Sequence, residues 1–491
     1  MPAALTLSFS FVRTQGPNPR YQPCEDGAHH WFDGTGLLHS LRLRGHNNTA
    51  EYSARYVRTR GFLEEEAAGK RLSVSLSQPP RALPILRGLA SKFTEPRVDA
   101  PYWVIQSANH ANNGVKAHAG VLLVTYEAGS AHAVQLSPDL PTLGVHTFNG
   151  SWVWSEHWTE NVGAHAKTCP TTGELIYTGY NLVPISGPPT VSVGVVSPSG
   201  AVTHRAVLPA ARPVLFHDVG ITRTRTLLLD GPLVFNLQKS MKGGRPFDFH
   251  RGSSLRVGML PRHGAPSDAV WIDTRDACFA YHVANAWDDP TDADRVVLIL
   301  CRMDETRAVG MADALQPDGS VAADAPGAPA FVEEGRLHKY VLDVRNRTVV
   351  SSSPLSPLCC DFPAVHPSFV GRVTSRAFAA GMRLGFDDPI PIFDSLISHN
   401  LDDGTAVVRR LPPGVACGDI TVAPRDAANP TSDTDGHVLL LTHILGENRS
   451  ELLVLDAADI LADPVATIQI PARIPFGFHA TWVAGPLPEW P

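Results

Sequence analysis

No run of about twenty apolar residues, the length a helix needs to cross a bilayer, occurs in this sequence, so a transmembrane helix is excluded. The seven cysteines (Cys24, Cys169, Cys278, Cys301, Cys359, Cys360 and Cys417) are odd in number and lack CxxC spacing. They fit neither a zinc ribbon nor a disulfide framework, and buried thiols in a reducing cytosol are the simpler account. The formal net charge is -7, and the 41 Lys and Arg residues are interspersed with acidic ones. Without a basic stripe, nucleic acid is not expected as a partner. A phosphate loop, a dinucleotide fingerprint and a Ser-His-Asp arrangement are all missing, so ATP and NAD are not expected. The opening MPAALTLSFSFVRTQGPNP has no basic region before its apolar stretch and no small-residue cleavage site, which makes it a poor secretory signal. It is expected to contribute a strand, and the sequons at Asn47, Asn149, Asn346 and Asn448 are then chance occurrences.

Helical periodicity is also scarce. It is confined to FLEEEAAGKRL, PILRGLASKF and MADALQ. Short apolar runs rich in β-branched residues dominate instead: VLLVTYEA, ELIYTGYNL, TLLLDGPLVF, RVVLILCRM, HKYVLDVRN, HVLLLTHIL and ELLVLDA. Gly, Pro, Asn and Asp clusters separate them, the pattern of many short strands joined by turns. Asp313 to Pro329 and Asp426 to Gly436 are expected as loops between strands. No repeat of the WD40 or kelch kind is found, although degenerate propeller blades need none.

Four histidines stand in apolar contexts that read as ends of buried strands: His165 in NVGAHAKTCP, His217 in RPVLFHDVGIT, His282 in CFAYHVANAWDD and His479 in PFGFHATWV. Neutral imidazoles suit a borderline metal such as Fe(II), and four of them leave positions open for a small gas or a substrate. A lone histidine among the 21 present is more often a satisfied core or surface residue. No two of the four share a helical turn, so spacing alone leaves both readings open.

The surrounding text adds to this. FVRTQGPNPRY, HHWFDGTGLLHSLRL, GVLLVTYEAG, HAKTCPTTGELIYTGY, VLFHDVGIT, YHVANAWDD, DFPAV, DGHVLLLTH and GFHATWV resemble, in order and at similar intervals, the signature segments of the carotenoid cleavage oxygenases. The resemblance runs from about Phe11 to Val483 and is strongest to the plant-type carotenoid dioxygenases. It implies an all-β, seven-bladed propeller with a cap of helices and loops over an axial iron site, as a single domain over residues 1–491. It implies His165, His217, His282 and His479 as ligands of one Fe(2+) per chain, catalytic together with Glu127. Zinc is the rival metal, but structural zinc usually recruits cysteine, and only Cys169 lies beside any of these histidines. In the family three glutamates orient the metal-bound rings. The matching positions are Glu127 in LLVTYEAG, Asp361 in CDFPAV and Asp419 in CGDITVAPR. Two are aspartate where glutamate is usual, a reach shorter by roughly 1.3 to 1.5 Å, so each calls for a shifted strand or a bridging water. His29, His30 and His118 match family text that binds no metal; Asn285 is expected to bond backbone, and Trp287 to fill core.

The implied partners are O2 and a hydrophobic conjugated alkene, with cleavage of one C=C bond into two carbonyl products. A carotenoid or apocarotenoid is the expected substrate, and a stilbene or phenylpropene the alternative. Stilbene-cleaving members usually carry a lysine directly before the glutamate that matches Glu127; here that residue is Tyr126. Isomerohydrolase activity and a non-enzymatic propeller platform are further readings. Relatives usually extend ahead of the counterpart of FVRTQGPNP, so a shortened start or loss of a membrane-facing arm is expected, in a cytoplasmic protein with peripheral membrane contact.

Overall fold

Both faces of the strand Arg295–Arg302 are buried, which is why its sequence RVVLILCR runs apolar without alternation. Val296, Leu298 and Leu300 pack with Leu227, Val257 and Ile272 on one side. Val297, Ile299 and Cys301 pack with Ala377, Ala379 and Ile397 on the other. Gly436–Ile444 behaves likewise: Val438 and Leu440 join Phe378 and Ile420, whereas Leu439 and Leu441 join Leu41 and Leu43. Sheets sandwiched between two other sheets all round a ring are the packing of a β-propeller.

The computed structural model describes residues 8–21, 30–44, 49–73, 109–127, 129–148, 153–155, 158–159, 161–182, 187–242, 244–308, 311–321, 333–383 and 391–483. Their strands form seven four-stranded antiparallel blades, and blades 1 to 6 each begin in the chain with their innermost strand. Blade 1 starts at Gly114–His118, blade 2 at Lys167–Thr168, blade 3 at Val219–Ile221 and blade 4 at Val283–Asp288. The strand Thr348–Ala364 serves twice: its first part is the outer strand of blade 4, and from Cys360 it pairs with Arg376–Met382 as the inner strand of blade 5. Blade 6 starts at Val415–Pro424. Blade 7 joins the two ends of the chain, because Ala480–Val483 pairs with Ser8–Pro17 from Ser10↔Val483 to Arg13↔Ala480. The expected N-terminal strand thus closes the ring. Inner strands of successive blades pack side by side for every neighbouring pair from blade 2 round to blade 1.

A small cap lies between the second and third strands of blade 3. It consists of Leu233–Phe235, helix α1 (Leu237–Met241) and Phe247–His250, joined in parallel by Ala312–Leu315. The last strand corrects the reading of MADALQ as helix and of Asp313 onward as loop. Four residues are too few to nucleate a helix, and Ala312 and Ala314 alternate inward onto the core while their backbone pairs with Phe247 and Phe249. FLEEEAAGKRL forms a helix as expected, Arg60–Ala68, capped by the Thr59 hydroxyl, which accepts from the Phe62 N–H at 3.2 Å, and ended by Gly69 at φ 65. PILRGLASKF lies outside the described residues, as do His29 and Cys24. The remaining six cysteines are buried free thiols.

Candidate metal centre and substrate pocket

Each blade contributes one residue to the propeller axis. His165, His217, His282 and His479 stand one or two residues before the inner strands of blades 2, 3, 4 and 7. Glu127 follows the second strand of blade 1, Asp361 lies on the inner strand of blade 5, and Asp419 on that of blade 6. Residues remote in sequence meet because inner strands converge on one axis. One nitrogen from each histidine lies within 4.8 Å of the others, a group that could hold a metal ion.

The carboxylates sort themselves by distance. His217 Nδ1 lies 2.7 Å from Glu127 Oε1, and His282 Nδ1 lies 2.7 Å from Asp361 Oδ1. An N–H donated from Nδ1 leaves the Nε2 lone pair facing the axis. Asp361 reaches without a bridging group because its strand shifts register between Asp361 and Ala364, with Phe362 at φ 53. Asp419 also sits at a register shift, yet its Oδ2 stays 3.9 Å from His479 Nδ1 and accepts the Ala480 N–H at 2.7 Å. The shorter side chain is therefore compensated at one position and not at the other.

The rings fit a cation. His282 Nε2 is buried and makes no hydrogen bond among the described residues. His165 Nε2 and His217 Nε2 are 3.1 Å apart, close enough for one ring to donate its N–H to the other or for two lone pairs to share a cation. Burial, and then mutual repulsion among the rings, pulls His165 and His282 well below the usual imidazole range and keeps them neutral. Burial pulls His217 the same way, but Glu127, Asp218 and Asp361 outweigh it and leave its pKa raised. Burial pushes Asp361 up to about 7; a cation among the rings would draw it down again.

Further residues brace this set. Tyr180 Oη–H donates to Glu127 Oε2, and Asn113 Nδ2–H to Glu127 Oε1 at 3.0 Å. Asp218 ties three inner strands: it pairs with Lys167 Nζ of blade 2 at 3.0 Å and accepts the backbone N–H of Val219 in blade 3 and Val283 in blade 4, each at 2.7 Å. Tyr180 lay within an apolar run that signalled only a strand; the acid directly after His217 was the one available signal for Asp218. Asn285 bonds backbone as expected, donating to Phe369 and Arg372 carbonyls at 3.0 Å and accepting the Gly371 N–H at 2.9 Å. Trp287 is buried. His30 and His118 serve locally: His30 Nδ1 accepts the Phe32 N–H, and His118 Nε2 lies 2.8 Å from Ser197 O.

Two cavities meet at the rings. An apolar one of ≈ 110 Å³ touches His217, His282 and His479 and is walled by Trp31, Phe32, Leu215, Phe247, Phe393 and Phe478. A polar one of ≈ 180 Å³ touches His165 and His479 along with Lys116, Lys167 and Asp419. Tyr126 faces the apolar cavity, and burial pushes its pKa up, so its hydroxyl is neutral there.

Residues 5–484 match the family model described as Retinal pigment epithelial membrane protein. The carotenoid 9,10(9',10')-cleavage dioxygenase of Crocus sativus is 27% identical over 513 residues, covering 99% of this chain and 85% of that protein. Carotenoid 9,10(9',10')-cleavage dioxygenase 1 of Phaseolus vulgaris is 28% identical over 497 residues, covering 97% and 84%. The crystal structure of the Pseudomonas brassicacearum lignostilbene dioxygenase superposes with a TM-score of 0.80 at 24% identity, covering 99% of this chain and 93% of that one. The cobalt-substituted Synechocystis ACO does so at 0.77 and 22%, covering 98% and 94%.

Proposed function

Because the chain belongs to the family of the retinal pigment epithelial membrane protein and the carotenoid cleavage dioxygenases, we propose that it is a non-haem Fe(II) dioxygenase that splits one C=C bond of a carotenoid or apocarotenoid into two carbonyl products. The observation that carries this reading is the meeting of four imidazoles, with no thiol or carboxylate among the four, three of which (His217, His282 and His479) line an apolar cavity. A neutral nitrogen set with open positions suits Fe(II). His165, His217, His282 and His479 would hold one iron per chain. Iron(II), when bound, supplies the redox capacity for O2 to add its two oxygen atoms across an electron-rich alkene, with no external reductant.

The protein's own part is placement. Glu127 and Asp361 fix the tautomers of His217 and His282. Phe32, Phe393 and Phe478 give the pocket apolar walls that order a flat conjugated chain and exclude water. A lipophilic substrate is supplied from lipid, so we place the enzyme in the cytoplasm with peripheral membrane contact; among the described residues no helix is long and apolar enough to cross a membrane.

Anaerobic loading with Fe(II), followed by aerobic incubation with β-carotene, an apocarotenal and resveratrol, tests the reading by mass spectrometry of the aldehydes. Tyr126 directs the expected ranking. A neutral phenol offers one hydrogen bond and no fixed positive charge, so the apocarotenal should exceed resveratrol in kcat/KM, and Tyr126→Lys should shift the ratio toward the hydroxystilbene. Efficient cleavage of resveratrol with none of either carotenoid would hand the assignment to stilbene cleavage.

A further inference from the structure

We propose that Lys116 is a nucleophilic amine that captures a short aldehyde as an imine inside the polar cavity, a second chemistry that goes beyond the alkene-cleaving centre. Lys116 lies on the inner strand of blade 1 and lines that cavity of ≈ 180 Å³ together with Lys167, His165, His479 and Asp419. Among the described residues its ammonium has no hydrogen-bond or ion-pair partner. Its charged neighbours act from a distance: Asp218 beside blade 3 and Asp419 of blade 6 favour the ammonium, and Lys167 of blade 2 opposes it. Both carboxylates are engaged elsewhere, Asp218 with Lys167 Nζ at 3.0 Å and Asp419 with the Ala480 N–H at 2.7 Å.

A lysine so placed is activated. Burial first, and then repulsion by the Lys167 ammonium, outweighs the two carboxylates and pulls the Lys116 pKa down to about 8. Against a surface lysine, that raises the unprotonated fraction at pH 7 roughly a hundredfold. Burial beside a second cation is the arrangement that lets lysines form Schiff bases with carbonyl compounds. The step needs no oxidant or reductant. The Nζ lone pair adds to the aldehyde carbon and the carbonyl oxygen takes a proton, giving a carbinolamine; its hydroxyl then leaves as water with the remaining N–H proton as the C=N bond forms. A cavity of about 150 Å³ holds a molecule the size of benzene, so this one takes a short aldehyde and not a polyene. The polar and apolar cavities both touch His479, so the two sources of aldehyde are a cleavage product made at the rings and a free aldehyde from solution.

The test treats the iron-loaded protein with limiting butanal and sodium cyanoborohydride, which reduces the imine to a stable butyl-lysine, and maps the label by peptide mass spectrometry. At pH 7 the peptide carrying Lys116 should be labelled at least about tenfold faster than any other lysine peptide, and its rate should level off near pH 8 while the others still climb. Lys116→Arg keeps the charge and cannot form an imine, so it should remove the fast phase and leave the slow labelling of other lysines. Labelling of Lys116 no faster than that of surface lysines, or a rate that still climbs past about pH 9, would overturn the proposal. An unchanged fast phase in Lys116→Arg would overturn it as well. Turnover of an apocarotenal with the reductant present tells the sources apart: product trapped on Lys116 supports capture of the enzyme's own aldehyde, and a butanal adduct with no product adduct supports capture of a free one. Fast uptake of butanal at Lys116 by a protein that cleaves no alkene leaves this role standing and sinks the dioxygenase reading.

Discussion

At the scale of the residue, the three carboxylates make different demands on the rings beside them. Glu127 accepts from His217, Tyr180 and Asn113 at once, so Glu127→Gln keeps the shape and removes the charge from a crowded, buried set. Loss of an outer-shell partner of this kind is expected to cost about 10- to 100-fold in activity or iron affinity. Asp361→Asn should fall in the same range, because its oxygen is 2.7 Å from His282 Nδ1. Asp419→Asn should be milder than either, since its oxygen is 3.9 Å from His479 and an amide oxygen can still accept the Ala480 N–H. Iron content by mass spectrometry and kcat/KM on one substrate check this order; equal losses at Asp361 and Asp419 would contradict it. The four histidines were legible through their flanking text and not through their spacing, which no sequence rule connects. The reach of Asp361 was not legible, because it depends on a register shift that one strand's sequence does not encode.

Elements carry the inter-blade packing, and here the sequence spoke clearly. Runs such as RVVLILCRM and HVLLLTHIL form strands buried on both faces, and their neighbours are set by the order of the chain. MADALQ misled because its local preference is weak and its partner strand, Phe247–His250, lies more than sixty residues earlier. Tertiary pairing decided it, as it commonly does for four-residue segments. Leu298 offers a direct measure of what this packing is worth. It is fully buried between blades 3 and 4 against residues of both, so Leu298→Ala should lower unfolding free energy by about 2–5 kcal/mol with iron content unchanged at low temperature. Denaturant unfolding checks the first figure; a loss below about 1 kcal/mol would mean that the blade interface relaxes around the missing methyl groups.

For the whole molecule, the closure between Ser8–Pro17 and Ala480–Val483 and the axial histidines act on the same ring. Strand pairing joins the ends of the chain at the inner edge of blade 7, and a metal held by blades 2, 3, 4 and 7 would cross-link four of the seven blades at their centre. A ligand that binds the folded ring and not the unfolded chain stabilises it by mass action, about 2.7 kcal/mol at a hundredfold excess over Kd. For a chain of this length that corresponds to a rise in melting temperature of roughly 2–4 °C. Protein stripped by chelator should therefore melt lower than protein reloaded with Fe(II), and the difference should grow with free metal concentration. His282→Ala removes one of the four nitrogens and the ring held by Asp361, so the metal-dependent part of the shift should largely vanish while the metal-free protein still folds. An identical iron-dependent shift in His282→Ala and wild type would show that the metal binds elsewhere, and would remove the axial histidines from the proposed centre.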